Sequence, residues 1–245
     1  MCTLIVSFQQ QTSSPLVVAA NRDELRARPA TAPRRWLNEP FVAPRDEQAG
    51  GSWLGLSSTG LFVGVTNRFP SERYLDRESR GTLVLEALRA PSATALHQSL
   101  QRLTAKRFNT FHLLYADAKH AFVTWSDGER IHHDVLQPGL HVVTERSLGG
   151  DDFGRSKLIV QKWPQLERAN GEPTPEALQQ LLAARNAENP AGSVCVDLPE
   201  MDYGTRSSLV LYVRERLAES RWFWAEGRPD RVPFIEHPEL IKSLG

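Results

Sequence analysis

Two β-rich runs stand almost back to back at the start of the chain. CTLIVSF (residues 2–8) and SPLVVAAN (residues 14–21) are separated only by the polar stretch QQQTS. Apolar, β-branched runs bounded by polar residues predict an antiparallel hairpin. That hairpin commits the chain to a sheet from its first residues and delivers Asn21, Arg22, Asp23 and Glu24 at the end of its second strand. Alternation along a strand puts Asn21 and Asp23 on one face and Arg22 and Glu24 on the other. Arg22 is expected to reach toward residue 2, with the strand ending between Arg22 and Asp23.

The remaining pattern fixes the class. Residues 25–51 are proline-rich with little periodicity and predict a long loop. SWLGLSSTGLFVGVTN is a second hairpin turning at SSTG. RGTLVLEALRAPSATALHQSLQRL predicts two helices broken at Pro91, with Ser92 as N-cap and Leu96, Leu100 and Leu103 on one face. FNTFHLLYAD, AFVTWSDG, ERIHHDVL and GLHVVTE are short strands, with a turn at Asp127 and Gly128. SKLIVQKW is helical as far as Trp163, and Thr174 caps a further helix with Pro175 in its first position. GSVCVD, RSSLVLYVRE and RWFWAEG predict closing strands, and RPDRVPFIEHPEL a polar tail. Antiparallel strands grouped around helical insertions predict an α+β fold, two sheets face to face with helices outside. No repeat or linker interrupts the chain, so residues 1–245 are expected to form a single domain.

Composition excludes several functions. Twenty-nine basic and 29 acidic side chains leave no net charge to favour nucleic acid or an anionic membrane. No apolar run approaches the roughly 18 residues of a membrane span, and the start lacks a basic leader, so a cytoplasmic protein is expected. Two cysteines, Cys2 and Cys195, make no disulfide framework. No Cys/His group has zinc spacing, and the adjacent His132 and His133 face opposite sides of a strand. GGDDFG (residues 149–154) lacks the Lys-Ser/Thr of a phosphate loop. No metal or other cofactor is expected, and the partner is a small molecule.

Cys2 carries the chemistry. Small second residues permit removal of the initiator methionine, which would place a thiol and a free α-amine on one residue. With reference values of about 8.5 for the thiol and about 7.7–8.0 for the amine, the amine can serve as local base near neutrality. Such a site needs a cation near the sulfur, a group to hold the amine, and donors for an oxyanion. Arg22, Asp23, Asn67 and Arg206 supply these types at strand ends. Trp36, Trp53, Trp222 and Trp224 are candidates for an apolar pocket or for core. Taken singly each signal is weak: in an arbitrary chain a second-position cysteine reads as a small apolar residue, and residues 21–24 as a salt-bridged turn.

MCTL, LVVAANRDE, AGGSWLGLSSTGLFVGVTN and YGTRSS together resemble the NRDE family, also called the Transport and Golgi organisation 2 family. The resemblance is most specific over residues 1–67 and returns at residues 203–208. It implies a four-layer αββα sandwich of N-terminal nucleophile hydrolase type, similar to the cysteine acylases that cleave penicillin V and conjugated bile salts. It implies Cys2 as nucleophile, Arg22, Asp23 and Arg206 as its charged partners, and Asn67 as an oxyanion or substrate contact. Asn21, Trp53 and Asn109 are candidate substrate contacts. The chain departs from the family pattern at His112 and at Thr144 and Glu145. The family also implies an alternative, a haem- or lipid-related carrier, for which His97, His112, His132, His141 or Cys2 would be the ligands.

Overall fold

The computed structural model describes residues 2–69, 74–148, 154–166 and 172–245. Met1, whose removal the sequence suggests, and residues 149–153 of GGDDFG lie outside them. In chain order the strands and helices begin β1 (Cys2–Phe8), β2 (Leu16–Leu25), β3 (Ala30–Arg35), β4 (Phe41–Asp46), β5 (Leu54–Ser57) and β6 (Phe62–Asn67). Helices α1 (Arg80–Leu88) and α2 (Ala93–Leu100) follow, then β7 (Phe111–Ala116), β8 (Ala121–Ser126), β9 (Ile131–Leu136) and β10 (Gly139–Thr144). Helices α3 (Arg155–Leu166) and α4 (Pro175–Leu182) lead to β11 (Asp197–Leu198), β12 (Tyr203–Val213), β13 (Arg221–Ala225), β14 (Ile235–Glu236) and α5 (Pro238–Lys242).

These strands form two antiparallel sheets. One has the order β10-β1-β2-β12-β13-β14, with β11 also paired to β12; the other runs β3 to β9 in chain order. Period-two alternation explains the layering. Leu4, Val6 and Phe8 of β1 and Leu16, Val18 and Ala20 of β2 face the second sheet, in a core that also takes Val65, Leu83 and Leu96. Ile5, Val17 and Ala19 face the other way, onto Ile159 and Trp163 of α3 and Leu178 and Leu182 of α4. Helices α1 and α2 cover the second sheet, α3 and α4 the first. The result is helix, sheet, sheet, helix. Capping follows the sequence: Ser92 accepts from the Ala95 N–H, and Thr174 from Ala177.

Five segments depart from expectation. β2 does not end at Arg22 but runs on to Leu25, because its partner β12 accommodates it with a bulge between Thr205 and Ser207. The proline-rich stretch is not a loop throughout, since it contains β3 and β4. Pro33 is tolerated because β3 is an edge strand whose register breaks between Thr31 and Arg34. Helix α3 continues through Pro164, which lies on its exposed side in the last turn, close to where the helix ends. GSVCVD is buried coil up to β11, its backbone satisfied by bonds such as Cys195 N–H to Ala184 and Val196 N–H to Thr205 Oγ1. The expected polar tail holds α5, whose Leu240 and Ile241 join the inner core.

Gly51 and Gly81 pack backbone on backbone where the chain enters α1. A Cβ on Gly51 would stand 2.4 Å from the Gly81 carbonyl carbon, and Ser52 N–H donates to the Gly81 carbonyl at 3.2 Å. Neither neighbour is a flexible side chain that could yield. Gly51→Ala is therefore expected to destabilise the protein by about 1–3 kcal/mol, the usual cost of overpacking, read as a lower denaturation midpoint. An unchanged midpoint would contradict this packing.

Candidate active site

The pairing of β1 with β2 sets Cys2 directly opposite Arg22. Both continue the inward-facing parity of Leu4 and Ala20, so both side chains emerge between the sheets at the strand ends. There they meet a cleft of about 390 Å³, also lined by Asp23, Trp53, Asn67 and Asn109. The Arg22 guanidinium is buried and lies 4.2 Å above the Trp53 ring centroid. Its Nη2 stands 3.7 Å from Asp46 Oδ2 and makes no hydrogen bond among the described residues. Arg28 holds that carboxylate at 2.7 Å, which leaves Arg22 as a cation aimed into the cleft. Cys2 as a residue is half-buried and lines the cleft. Burial pushes it above the ordinary thiol range; Asp23 adds to this, while the Arg22 guanidinium and the Asp23 N–H oppose it.

Asp23 points to the opposite face, into a buried polar cluster behind β1. Its Oδ1 accepts from Thr205 at 2.7 Å, and its carbonyl accepts from the Tyr203 hydroxyl at 2.6 Å. Arg155, from the first turn of α3, brings Nη1 to 3.5 Å from Asp23 Oδ2 and 3.6 Å from Glu145 Oε2, and donates to Thr3 Oγ1 at 2.9 Å. Its Nη2 donates to the Ala191 carbonyl. Burial raises the Asp23 carboxyl to about 6, against the opposing pull of Arg155 and the Thr205 hydroxyl. Sequence reasoning missed Arg155 altogether and marked Glu145 only as a departure. Arg155 opens a helix with no local motif, and only the packing of α3 on β10 brings it to Asp23.

The other candidates fall out differently. Asn67 is exposed at the cleft wall. Asn109 accepts from the Tyr74 N–H at 2.8 Å and donates to the Tyr74 carbonyl at 2.9 Å, and so holds the cleft wall. Asn21 lies behind the sheet: its Nδ2 donates to the carbonyls of Leu182 and Val194, and its Oδ1 accepts from Ser208. It ties α4 to β2 and does not line the cleft. Arg206 is the bulged residue of β12, its Nη1 donates to the Arg26 carbonyl, and it too is outside the lining. The bulge turns the side chain away, which sequence spacing could not foresee. Trp222 and Trp224 are inner core; Trp36 lies apart from the cleft.

None of the histidines lines the cleft. His112 is buried, accepts from Thr66 at Nδ1 and donates from Nε2 to the Ser147 carbonyl; burial and the Arg68 charge lower it to about 3. His97 bonds the Tyr115 hydroxyl, His132 stacks on Trp125, and His141 bonds the Gln137 carbonyl. Among the described residues no group of three or more metal-ligating side chains occurs, and no helix is long and apolar enough to cross a membrane.

The family model described as Transport and Golgi organisation 2 matches residues 1–223. The chain belongs to that family. A Transport and Golgi organization protein 2 homolog from Bos taurus is 28% identical over 250 residues, covering 87% of this chain and 88% of its own. The Homo sapiens homolog is 26% identical over the same shares. Among solved structures, a C2A mutant of conjugated bile acid hydrolase from Clostridium perfringens superposes with a TM-score of 0.53, at 11% identity, over 98% of this chain and 93% of the other. A Caenorhabditis elegans ortholog of N-acylethanolamine-hydrolyzing acid amidase gives 0.50 at 16% identity, over 86% and 92%. This member of the Transport and Golgi organisation 2 family therefore has the αββα sandwich of N-terminal nucleophile hydrolase type. At these identities the likeness to solved structures is one of fold.

The Asp23 carboxyl gives a signed prediction. Folded protein holds its proton up to about 6, against an ordinary value of about 3.9. Between those values the folded state binds more protons than the unfolded one, so the contribution is favourable below about pH 4 and is lost as pH rises to about 6. Asp23→Asn removes this dependence. Relative to wild type, the variant is expected to gain about 3 kcal/mol between those limits in denaturant unfolding, while a pH-independent difference would contradict the burial argument.

Proposed function

We propose that this chain is a cysteine-type amidohydrolase acting on a non-peptide C–N amide bond of a small molecule through Cys2 after removal of Met1. The observation that carries the reading is the Cys2–Arg22 register at the cleft floor, with the guanidinium buried, its Nη2 without a hydrogen bond among the described residues and its charge acting on the Cys2 thiol. The neighbours in fold lend support, since one is named as an acid amidase and the other as a conjugated bile acid hydrolase, solved with its second-position cysteine replaced by alanine.

In this mechanism the α-amine of Cys2 takes the thiol proton and Arg22 stabilises the thiolate. Sulfur attacks the amide carbonyl carbon, forming a C–S bond while the carbonyl oxygen takes the negative charge. Asn67, exposed in the cleft, is the candidate donor to that oxygen. Collapse breaks the C–N bond, the ammonium returns its proton to the leaving nitrogen, and a thioester remains. Water, losing a proton to the same amine, then releases the acyl group as a carboxylic acid and restores the thiol. Asp23 orients the amine from behind, and Trp53 forms the apolar wall. Because burial raises the thiol, a base within the site is needed. Two free cysteines suit the reducing cytoplasm in which we place the protein. The carrier alternative is less well supported, because the imidazoles weighed for it are engaged outside the cleft.

Iodoacetamide labelling followed by peptide mass tests the proposal. Cys2 is expected to react while Cys195, buried and pushed up to about 12 by burial and by the Asp230 charge, does not. Cys2→Ser should abolish labelling and Cys195→Ala should leave it intact. Labelling confined to Cys195, or shared equally, would refute the assignment.

A further inference from the structure

A line of four hydrogen-bonded side chains runs from α2 across the second sheet, apart from the cleft. His97 Nδ1 of α2 lies 2.8 Å from the Tyr115 hydroxyl of β7. That hydroxyl lies 2.9 Å from Thr124 Oγ1 of β8, which in turn lies 3.0 Å from His133 Nδ1 of β9. Tyr115 and Thr124 are fully buried, so both hydroxyls depend on this line for their partners. The two imidazoles also meet edge to face at a centroid distance of 5.6 Å, and His97 stacks on Phe122 at 4.2 Å.

Counting protons limits what the line can hold. Three hydrogen bonds join the four groups, and each needs one proton. The two hydroxyls bring one each. The third comes from Nδ1 of one imidazole, and the other imidazole must leave its Nδ1 bare. Gln101 decides the direction. Its amide nitrogen, a donor only, lies 3.3 Å from His97 Nε2, so neutral His97 carries its proton on Nδ1. The bonds then run from His97 to Tyr115, to Thr124 and to His133, and neutral His133 carries its proton on Nε2. A first added proton fits, because His97 can take it on Nε2 once the exposed Gln101 turns its amide oxygen inward. A second does not. With both imidazoles charged, four donors meet three links, and a buried hydrogen bond must break.

The charged and titratable groups around the line are Asp117 and His120 after β7, and His132 and Asp134 beside His133 on β9. Asp117 accepts from the Ala93 N–H at the head of α2, and His120 bonds Thr94. Asp134 accepts from the Trp125 indole and favours a charged His133, but burial and the neighbouring His97 and His132 outweigh it and lower that imidazole. Burial also lowers His97.

We propose that His97, Tyr115, Thr124 and His133 form a pH-sensitive latch, which holds α2 on the second sheet while at most one imidazole is charged and releases it when both are. The latch goes beyond the amidohydrolase reading and does not depend on it, since none of the four residues lines the cleft. Lowered imidazoles bind fewer protons in the folded state than in the unfolded one. Their contribution to stability is therefore present above the ordinary value of about 6.5 and lost as pH falls through the lowered ones.

Long-range nitrogen–proton NMR of the imidazoles in the full chain, from about pH 8 to about pH 4, tests the latch. At the upper end His97 should show the Nδ1–H tautomer and His133 the Nε2–H tautomer. On acidification His97 should charge first and His133 about one pH unit lower. Amide exchange in α2, corrected for its intrinsic pH dependence, should quicken about tenfold with the second step and not with the first. Thr124→Val removes the hydroxyl at similar shape; the two midpoints should draw together and α2 exchange should lose its step. Thr124→Ser keeps the hydroxyl and should keep both steps, which together with the wild-type tautomers tests the latch should the valine variant fail to fold. One shared tautomer on the two rings, a common midpoint in wild type, or a separation unmoved by Thr124→Val would overturn it.

Discussion

One backbone register organises the site. Because Cys2 pairs with Arg22, the strand alternation of β1 and β2 decides everything adjacent to the sulfur. Residues of one parity enter the space between the sheets, where Arg22 lies over Trp53 and faces the cleft. Residues of the other parity enter the layer under α3 and α4, where Asn21 and Asp23 are enclosed. A slip of one residue would exchange the two sets, placing Arg22 in the rear cluster and Asp23 in the cleft. The apolar pattern of Leu4, Val6 and Phe8 prevents this, since a slip would also turn the core outward.

Charge is distributed about this register in two compartments. On the cleft side Arg22 Nη2 makes no hydrogen bond among the described residues, its neighbour Asp46 being held closely by Arg28. On the rear side two carboxylates share one arginine. Burial of either arrangement costs free energy. The layers around them supply the stability: two apolar cores, the close approach of Gly51 to Gly81, and the Asn21 bridge between β2 and α4.

The layered fold was legible because it depends on short-range patterns. Hairpins, caps at Ser92 and Thr174, and the break at Pro91 are local signals that tertiary packing reinforced. The cleft face was also legible, since parity along a strand follows from counting. What escaped was non-local. Arg155 reaches Asp23 over a long sequence separation, with no motif to announce it. Arg206 was misplaced because a bulge shifts parity in a way that no residue count reveals. Asn21 was misread for the opposite reason: its chemistry suited a substrate, but its face was already committed to the carbonyls of Leu182 and Val194. Pro33 and Pro164 hid an edge strand and a last helical turn, positions where a missing N–H costs little.

The central claim is that a sulfur at residue 2 becomes acylated beside a free α-amine. Acid-quenched mass analysis after incubation with a reactive β-lactone measures this directly. The account predicts one acyl adduct per chain, carried by an N-terminal peptide that begins at Cys2 and lost when the thioester is cleaved by hydroxylamine. An adduct on another residue, or an unmodified N-terminal peptide, would contradict it.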